Sequence, residues 1–325
     1  MRSLLILAAL FAAFAQDGIP VDTLPTQLST EAPQGLEGEF DGVEFGSDAQ
    51  AALGRRLFFD PVLSVDRSIA CASCHDPARG FADTEALSVG VHGRRTLRNA
   101  PTLYNRALGK SFMWDGKAVT LEQQVLQPIV NKLEMDLAVA DAVARLAADA
   151  SYQTEFKSAF SAPPSEALLA GALATFVGRL LYGDSPVDRF RDGDHDALTP
   201  EERGGMWFFE SRGNCWKCHS GQNFTDESFH ATGIGVTDGA LENGRFDVTG
   251  AEADRGAFKT PTLRGLTETG PYMHDGSRKT IEEVVEFYRQ GPAAELQLDP
   301  EFVSLDMSDK DARNLVAFLK ALSRR

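Results

Sequence analysis

The sequence predicts an all-α protein built from two tandem, related units, and three observations carry that expectation. The pentapeptide C-x-x-C-H occurs twice, as Cys71-Ala72-Ser73-Cys74-His75 and as Cys215-Trp216-Lys217-Cys218-His219. Residues 101–128 and 261–288 repeat one another at a constant offset of 160, without a gap. Within them Pro101-Thr102-Leu103 matches Pro261-Thr262-Leu263, Met113-Trp114-Asp115-Gly116 matches Met273-His274-Asp275-Gly276, and Thr120 matches Thr280. Several segments carry apolar residues at helical spacing, and none alternates convincingly as a strand would. The simplest account is one duplicated unit.

The elements follow in chain order. Residues 1–15 read as a signal peptide, with Arg2 as a short basic start, an apolar run from 4 to 14 too short to span a bilayer, and Ala13-Phe14-Ala15 as the cleavage site. Residues 16–45, with Pro20, Pro25, Pro33 and several glycines, read as a poorly ordered arm. A short apolar helix over 51–59 then leads into the first pentapeptide. Thr120-Leu121-Glu122-Gln123 reads as a capping box, opening a helix that Pro128 interrupts or ends. Residues 138–148 and 165–181 are alanine-rich with helical periodicity. The polar, turn-rich stretch 183–193 is taken as the boundary between a first domain, 46–185, and a second, 186–325. Thr199-Pro200-Glu201-Glu202 caps the helix that enters the second pentapeptide, with proline at its first position. Residues 221–257, rich in Gly and Asp, read as a long loop. Thr280 caps a helix through Tyr288 that Gly291 closes. Ser308 opens a last helix with Leu315, Phe318, Leu319 and Leu322 on one face.

C-x-x-C-H is the attachment signature of c-type haem: the thiols form thioethers with the porphyrin, and the histidine becomes the proximal iron ligand. The chain has four cysteines, all within the two motifs. A zinc site made of the four thiolates is opposed by their separation, about 140 residues, and by the histidine that trails each pair. Two covalent haems are therefore expected, on Cys71 and Cys74 and on Cys215 and Cys218, with His75 and His219 on the irons and each haem in one cytochrome c-like domain. No cysteine is left for a disulfide. A net charge of −15 and a pI of about 4.9 disfavour nucleic acid and anionic membrane. Such a surface suits a basic protein partner, although ordinary solubility explains it equally well. No later stretch is long and apolar enough to cross a membrane. A soluble periplasmic protein is expected.

The repeat also locates the distal iron faces. At the offset of 160, Tyr288 corresponds to Pro128. Proline cannot ligate iron, whereas tyrosine can as phenolate, so the first haem is expected open and the second closed by Tyr288. Two alternatives stand beside this. Tyr288 shares a helix face with Ile281, Val284 and Val285 and on spacing alone reads more readily as a core aromatic than as a ligand, and Met273 offers a thioether.

In these motifs the chain resembles the bacterial di-haem cytochrome c peroxidase and MauG family. The resemblance runs from Leu57 to Tyr288. It is carried by both pentapeptides, Arg98-Asn99-Ala100-Pro101-Thr102, Trp114-Asp115-Gly116, Glu134-Met135, Lys259-Thr260-Pro261-Thr262-Leu263-Arg264 and Pro271-Tyr272-Met273-His274-Asp275-Gly276. It implies a peroxide-reactive first haem and an electron-transferring second haem. It also implies Glu134 as the group that moves the peroxide proton, Gln124 as its hydrogen-bonding companion, and Trp114 as the coupler between the haems. Asn99, Thr269 and Pro271 match the family's calcium site, an all-oxygen shell of the kind hard cations prefer. At the place of Tyr288 the peroxidases carry Met and the MauG-type proteins Tyr, so the match leans to the MauG-like branch. An anionic phenolate favours oxidised iron, and a thioether does the reverse.

The implied partners are hydrogen peroxide and either a small electron-donor protein, a cytochrome c or cupredoxin, or a protein substrate whose side chains are modified. The contrasting possibility is a non-enzymatic di-haem electron carrier. Two departures stand out. The stretch Arg212-Gly213-Asn214 lacks the surface tryptophan that MauG-type enzymes use toward their partner, and Trp216 is not at the same place. His92 lies one residue out of register from the removable ligand of the peroxidases. His195 and His230 carry no signal and are expected to be exposed.

Overall fold

The computed structural model describes residues 19–20, 22–24, 28–237, 240–291 and 298–324, so the signal peptide expected at 1–15 lies outside the described residues. The chain is mostly helical with little sheet. Its helices are α1 (Asp48–Phe59), α2 (Leu121–Val130), α3 (Val139–Ala148), α4 (Ala150–Phe160), α5 (Glu166–Gly178), α6 (Pro186–Arg191), α7 (Pro200–Glu210), α8 (Phe246–Thr249), α9 (Ile281–Gln290) and α10 (Asp309–Ala321). The long loop expected over 221–257 contains two small antiparallel ribbons. β1 (Phe229–Ala231) pairs with β4 (Ala257–Lys259), and β2 (Val236–Thr237) pairs with β3 (Ala240–Leu241). Strands of two or three residues are too short to show an alternating pattern in the sequence.

Two apolar cores form. One gathers α1, α2, α3, α4 and α5 around Leu57, Phe58, Phe156 and Phe176, and the other gathers α7, α9 and α10 around Phe208, Phe209, Phe224 and Phe318. In each core a helix preceding a pentapeptide crosses a later helix at a glycine. A Cβ on Gly54 of α1 would sit 1.9 Å from the Ala172 carbonyl oxygen of α5. A Cβ on Gly205 of α7 would sit 2.0 Å from the Asn314 carbonyl oxygen of α10. Four residues after each glycine, Phe58 packs on Phe176 with ring centroids 5.0 Å apart, and Phe209 packs on Phe318 at 5.1 Å. Only glycine lets the backbones approach this closely. Gly54→Ala and Gly205→Ala should each cost about 1–3 kcal/mol by overpacking, read as a lower Tm in thermal unfolding. An unchanged Tm in both would mean that the crossings are loose.

The capping residues behave as their chemistry predicts, with one adjustment. Ser47, Thr199 and Ser308 form reciprocal capping boxes. Thr120 and Thr280 accept from the amides of Gln123 and Glu283, but the return bond goes one residue further out, from the Val119 amide to Gln123 and from the Lys279 amide to Glu283. Pro128 neither breaks nor ends α2, which runs two residues beyond it. The correspondence at 160 residues is geometric too. Phe112 bridges Ala118 as Tyr272 bridges Arg278, and Met113 and Met273 both adopt left-handed backbone, with φ of 68° and 71°.

Two expectations fail. The arm at 16–45, where described, is docked: Leu36 is fully buried and Phe40 nearly so, and Arg55 donates to the Leu24 carbonyl. The stretch 183–193 is not merely polar turn, because it holds α6, with Val187 and Asp188 buried. The physical reason is shared by both segments. Arg264, with no exposed surface, donates to both Asp188 oxygens at 2.7 and 2.8 Å and to the Gly35 carbonyl at 3.0 Å. Gly35 has φ +84°, and a Cβ there would meet Asp188 Oδ1 at 2.0 Å, so only glycine fits.

Candidate functional site

Each pentapeptide begins with a single 3-10 turn, Cys71–Ser73 and Cys215–Lys217. The turn brings the trailing histidine under a backbone carbonyl. His75 Nδ1 lies 2.9 Å from the Phe81 oxygen, and His219 Nδ1 lies 3.1 Å from the Phe224 oxygen. A carbonyl only accepts, so Nδ1 carries the proton and the Nε2 lone pair is left for a metal. Burial holds both imidazoles below their ordinary pKa, hence neutral. Threonines of the repeat brace the return segments: Thr102 donates to the Gly80 carbonyl at 2.6 Å, and Thr262 to that of Asn223 at 2.7 Å. Burial also pushes the Cys71, Cys74 and Cys215 thiols up to about 12, which disfavours the thiolate form that a zinc site would need. The two cysteine pairs belong to different cores, Cys71 packing on the first and Cys215 on the second.

A cavity of about 250 Å³ opens beside the second pentapeptide, lined by Cys215, Cys218, His219, Leu263, Met273 and Tyr288. It offers an imidazole nitrogen, two attachment sulfurs, a phenol and a thioether within apolar walls, a donor set that fits a c-type haem. Tyr288, on α9, is half-buried. Burial first, then the nearby Cys215 and Cys218, raises its phenol above the ordinary range, so a cation in the cavity is needed to ionise it. Ile281 and Val285 of the same helix are buried in the core and line the cavity alongside Tyr288. Met273 lines it too, so both candidate ligands stand in one wall system.

Near the first pentapeptide, Glu134 sits in the turn after α2. Its amide donates to Asn131 O at 3.0 Å, its carbonyl accepts from the Val91 amide at 2.8 Å, and Asn131 Nδ2 donates to its carboxylate at 2.6 Å. Burial raises the carboxyl above the ordinary range, against the opposing pull of Asn131 and Lys117. Its charge reaches Cys71 and Cys74. Gln124, half-buried on α2, directs Nε2 at Met113 Sδ, 3.7 Å away. No hydrogen bond joins Gln124 to Glu134 among the described residues.

Trp114 lies where the two halves meet. Its Nε1 donates to Asn99 O at 2.8 Å, and its carbonyl accepts from the Lys259 amide at 2.9 Å. Its ring stands 6.2 Å from that of His274, its own counterpart in the repeat. The Asn99 amide donates to His274 O at 2.7 Å, closing the loop. His274 is buried and stacks on Phe258 at 3.5 Å. Asn99, Thr269 and Pro271 share the Tyr288 cavity. One amide oxygen and two backbone carbonyls, those of Thr269 and Pro271 accepting no hydrogen bond among the described residues, form a neutral oxygen set that fits a hard cation by donor type.

The remaining histidines divide. His92 is exposed and lies 3.5 Å from Asp66, and His195 is exposed beside Phe190. His230, expected at the surface, is instead part-buried on β1 and lines the Tyr288 cavity. Asp226 first, then Cys218 and Asp299, raise its pKa to about 11 against burial. The i−4 spacing of Asp226 was a faint local signal, but nothing in the sequence links His230 to Asp299.

Paired C-x-x-C-H turns with carbonyl-oriented histidines, in a mostly helical chain, define a c-type haem protein. Comparison with known proteins carries this further. Residues 48–196 match the family described as di-haem cytochrome c peroxidase. The methylamine utilization protein MauG of Methylorubrum extorquens is 39% identical over 84% of this chain and 78% of its own length. The cytochrome c551 peroxidase of Nitrosomonas europaea is 33% identical over 98% and 90%. The chain belongs to the di-haem cytochrome c peroxidase and MauG family and is a peroxide-using di-haem oxidoreductase. Among solved structures, a MauG-like protein associated with microbial copper homeostasis superposes with a TM-score of 0.79 at 31% identity, covering 94% of this chain and 96% of that one. No helix among the described residues is long and apolar enough to cross a membrane.

Proposed function

We propose that this protein reduces hydrogen peroxide in the periplasm, using one haem c held by Cys71, Cys74 and His75 and a second held by Cys215, Cys218 and His219. The two cytochrome c-like units, 46–185 and 186–325, descend from one duplicated unit, and a calcium ion at Asn99, Thr269 and Pro271 lies between them. The haems, when bound, supply the iron redox chemistry by which peroxide takes two electrons and two protons to become two waters. The protein's own share is proton movement and alignment. Glu134 would take a proton from one peroxide oxygen and return it to the departing one. Gln124 orients the peroxide by hydrogen bonding. Trp114 would couple the two centres, and Tyr288 would help hold the second haem's iron through its phenol oxygen.

The observation that carries this reading is Glu134, a half-buried carboxyl held by Asn131 Nδ2 at 2.6 Å beside the first pentapeptide and raised by its burial. A small cytochrome c or cupredoxin is one candidate reductant. The presence of Tyr288 in the cavity of His219 favours a second, MauG-like reading, in which the equivalents are spent on side chains of a partner protein.

The test is an optical and EPR titration of the diferric holoprotein with one equivalent of peroxide, wild type beside Tyr288→Phe. A high-spin ferric component is expected, marking an open iron and excluding a mere electron carrier. A long-lived oxidised state should form in wild type and vanish in the variant. Diferric protein that ignores peroxide until it is reduced by one electron would sink the Tyr288 assignment.

A further inference from the structure

The wall of the Tyr288 cavity includes Asp299, Phe302 and Val303. Phe302 stands edge-on to the Tyr288 ring, with centroids 5.5 Å apart and planes at 86°, and stacks on Phe287 at 5.6 Å and 17°. The Tyr288 hydroxyl has no hydrogen-bond partner among the described residues, so ring packing is what orients it. The segment that carries Phe302 is tied down by His230. Its Nδ1 lies 2.6 Å from Asp299 Oδ2, and its Nε2 lies 2.9 Å from Asp226 Oδ2. Two carboxylates at the two ring nitrogens call for a donor at each, which only the imidazolium provides.

Both ends of this clasp are anchored. The Asp226 amide donates to the Cys218 carbonyl at 2.8 Å, inside the second pentapeptide. The Asp299 amide donates to Ala231 O at 2.9 Å, and the Phe302 amide to Asp299 O at 2.9 Å. Lys217 of the pentapeptide adds an ion pair to Glu301. A continuous path thus runs from Cys218 through Asp226, His230 and Asp299 to Phe302 and the face of Tyr288.

We propose that His230 is a positioning residue for Tyr288: bridging Asp226 and Asp299, it registers Phe302 against the phenol ring and so fixes how Tyr288 presents its oxygen to the cavity. The proposal rests on Tyr288 being the distal ligand of the second haem. It gives a role to a histidine that neither attaches haem nor meets peroxide.

Resonance Raman and EPR spectra of the diferric holoprotein test it, with wild type compared with Tyr288→Phe, His230→Gln, His230→Phe and Asp299→Asn. Val187→Ala, which trims the same core away from the cavity, controls for simple destabilisation. The phenolate–iron band is expected in wild type, absent in Tyr288→Phe, partly lost in His230→Gln and mostly lost in His230→Phe. It should stay intact in Val187→Ala despite a lower Tm. If His230→Phe does not fold, Asp299→Asn, of nearly the same shape, still shows the loss. A band unchanged in both His230→Phe and Asp299→Asn, yet absent in Tyr288→Phe, overturns the clasp alone. A band already missing from wild type overturns the ligand reading, and the clasp with it.

Discussion

Replacing Glu134 by Gln is expected to slow the reaction with peroxide by about 100- to 10,000-fold, the usual range for loss of a positioned general acid–base group. The amide keeps the size of the side chain and a hydrogen bond to Asn131 but cannot accept the peroxide proton. Haem content and the ferric spectrum should therefore stay near wild type while the stopped-flow rate collapses. The pH profile gives a second readout. Burial holds the Glu134 carboxyl above the ordinary carboxylate range, and the base must be ionised to work. The wild-type rate should accordingly fall as pH drops through that raised pKa, with an acid limb displaced upward from where a solvated glutamate would put it. The limb should be missing in the variant. A Glu134→Gln protein as fast as wild type would remove Glu134 from the chemistry.

The largest stability effect is expected at Arg264→Leu. Arg264 and Asp188 are both buried, and the arginine also donates to Gln222 O at 2.9 and 2.7 Å. Removing one member of a buried pair strands the other charge, which costs about 3–5 kcal/mol. Burial by itself would raise the Asp188 carboxyl, but the hydrogen bonds and charge of Arg264 outweigh it and hold the pKa below the ordinary value. A carboxyl depressed in the folded state contributes stability above its unfolded pKa and loses it as pH falls through the folded one. The gap between wild type and variant should thus be widest at neutral pH and narrow in acid, as measured by urea unfolding. The double variant Arg264→Leu, Asp188→Leu should recover part of the loss. Equal unfolding midpoints for wild type and Arg264→Leu at neutral pH would refute the account.

Much of this protein was legible in its sequence because its chemistry is local. A pentapeptide, a capping threonine and a gap-free repeat each declare themselves within a few residues, and the helices at 121–130 and 281–290 follow from them. What stayed hidden depends on partners far along the chain. Residues 33–41 look too polar and glycine-rich to order themselves, yet Leu36 is buried because a guanidinium from position 264 holds Gly35. Asp188 lies in a stretch, 183–193, that reads as polar turn, and the same guanidinium is what buries it. His230 looks unremarkable until Asp299 is folded onto it. Gly54 and Gly205 carry no helical signal of their own, and their reason is a carbonyl on another helix.

The bond from Arg264 to Gly35 also bears on the order in which the molecule assembles. It spans 229 positions, and closing so long a loop is entropically late compared with the nearby pairings of helices within each half. The segment around Gly35 gains this bond only once a side chain 229 positions further along is in place. Gln34 also donates to Asp184 at 2.8 Å, so the bond from Arg264 adds a long-range tie to a segment that nearer residues already hold.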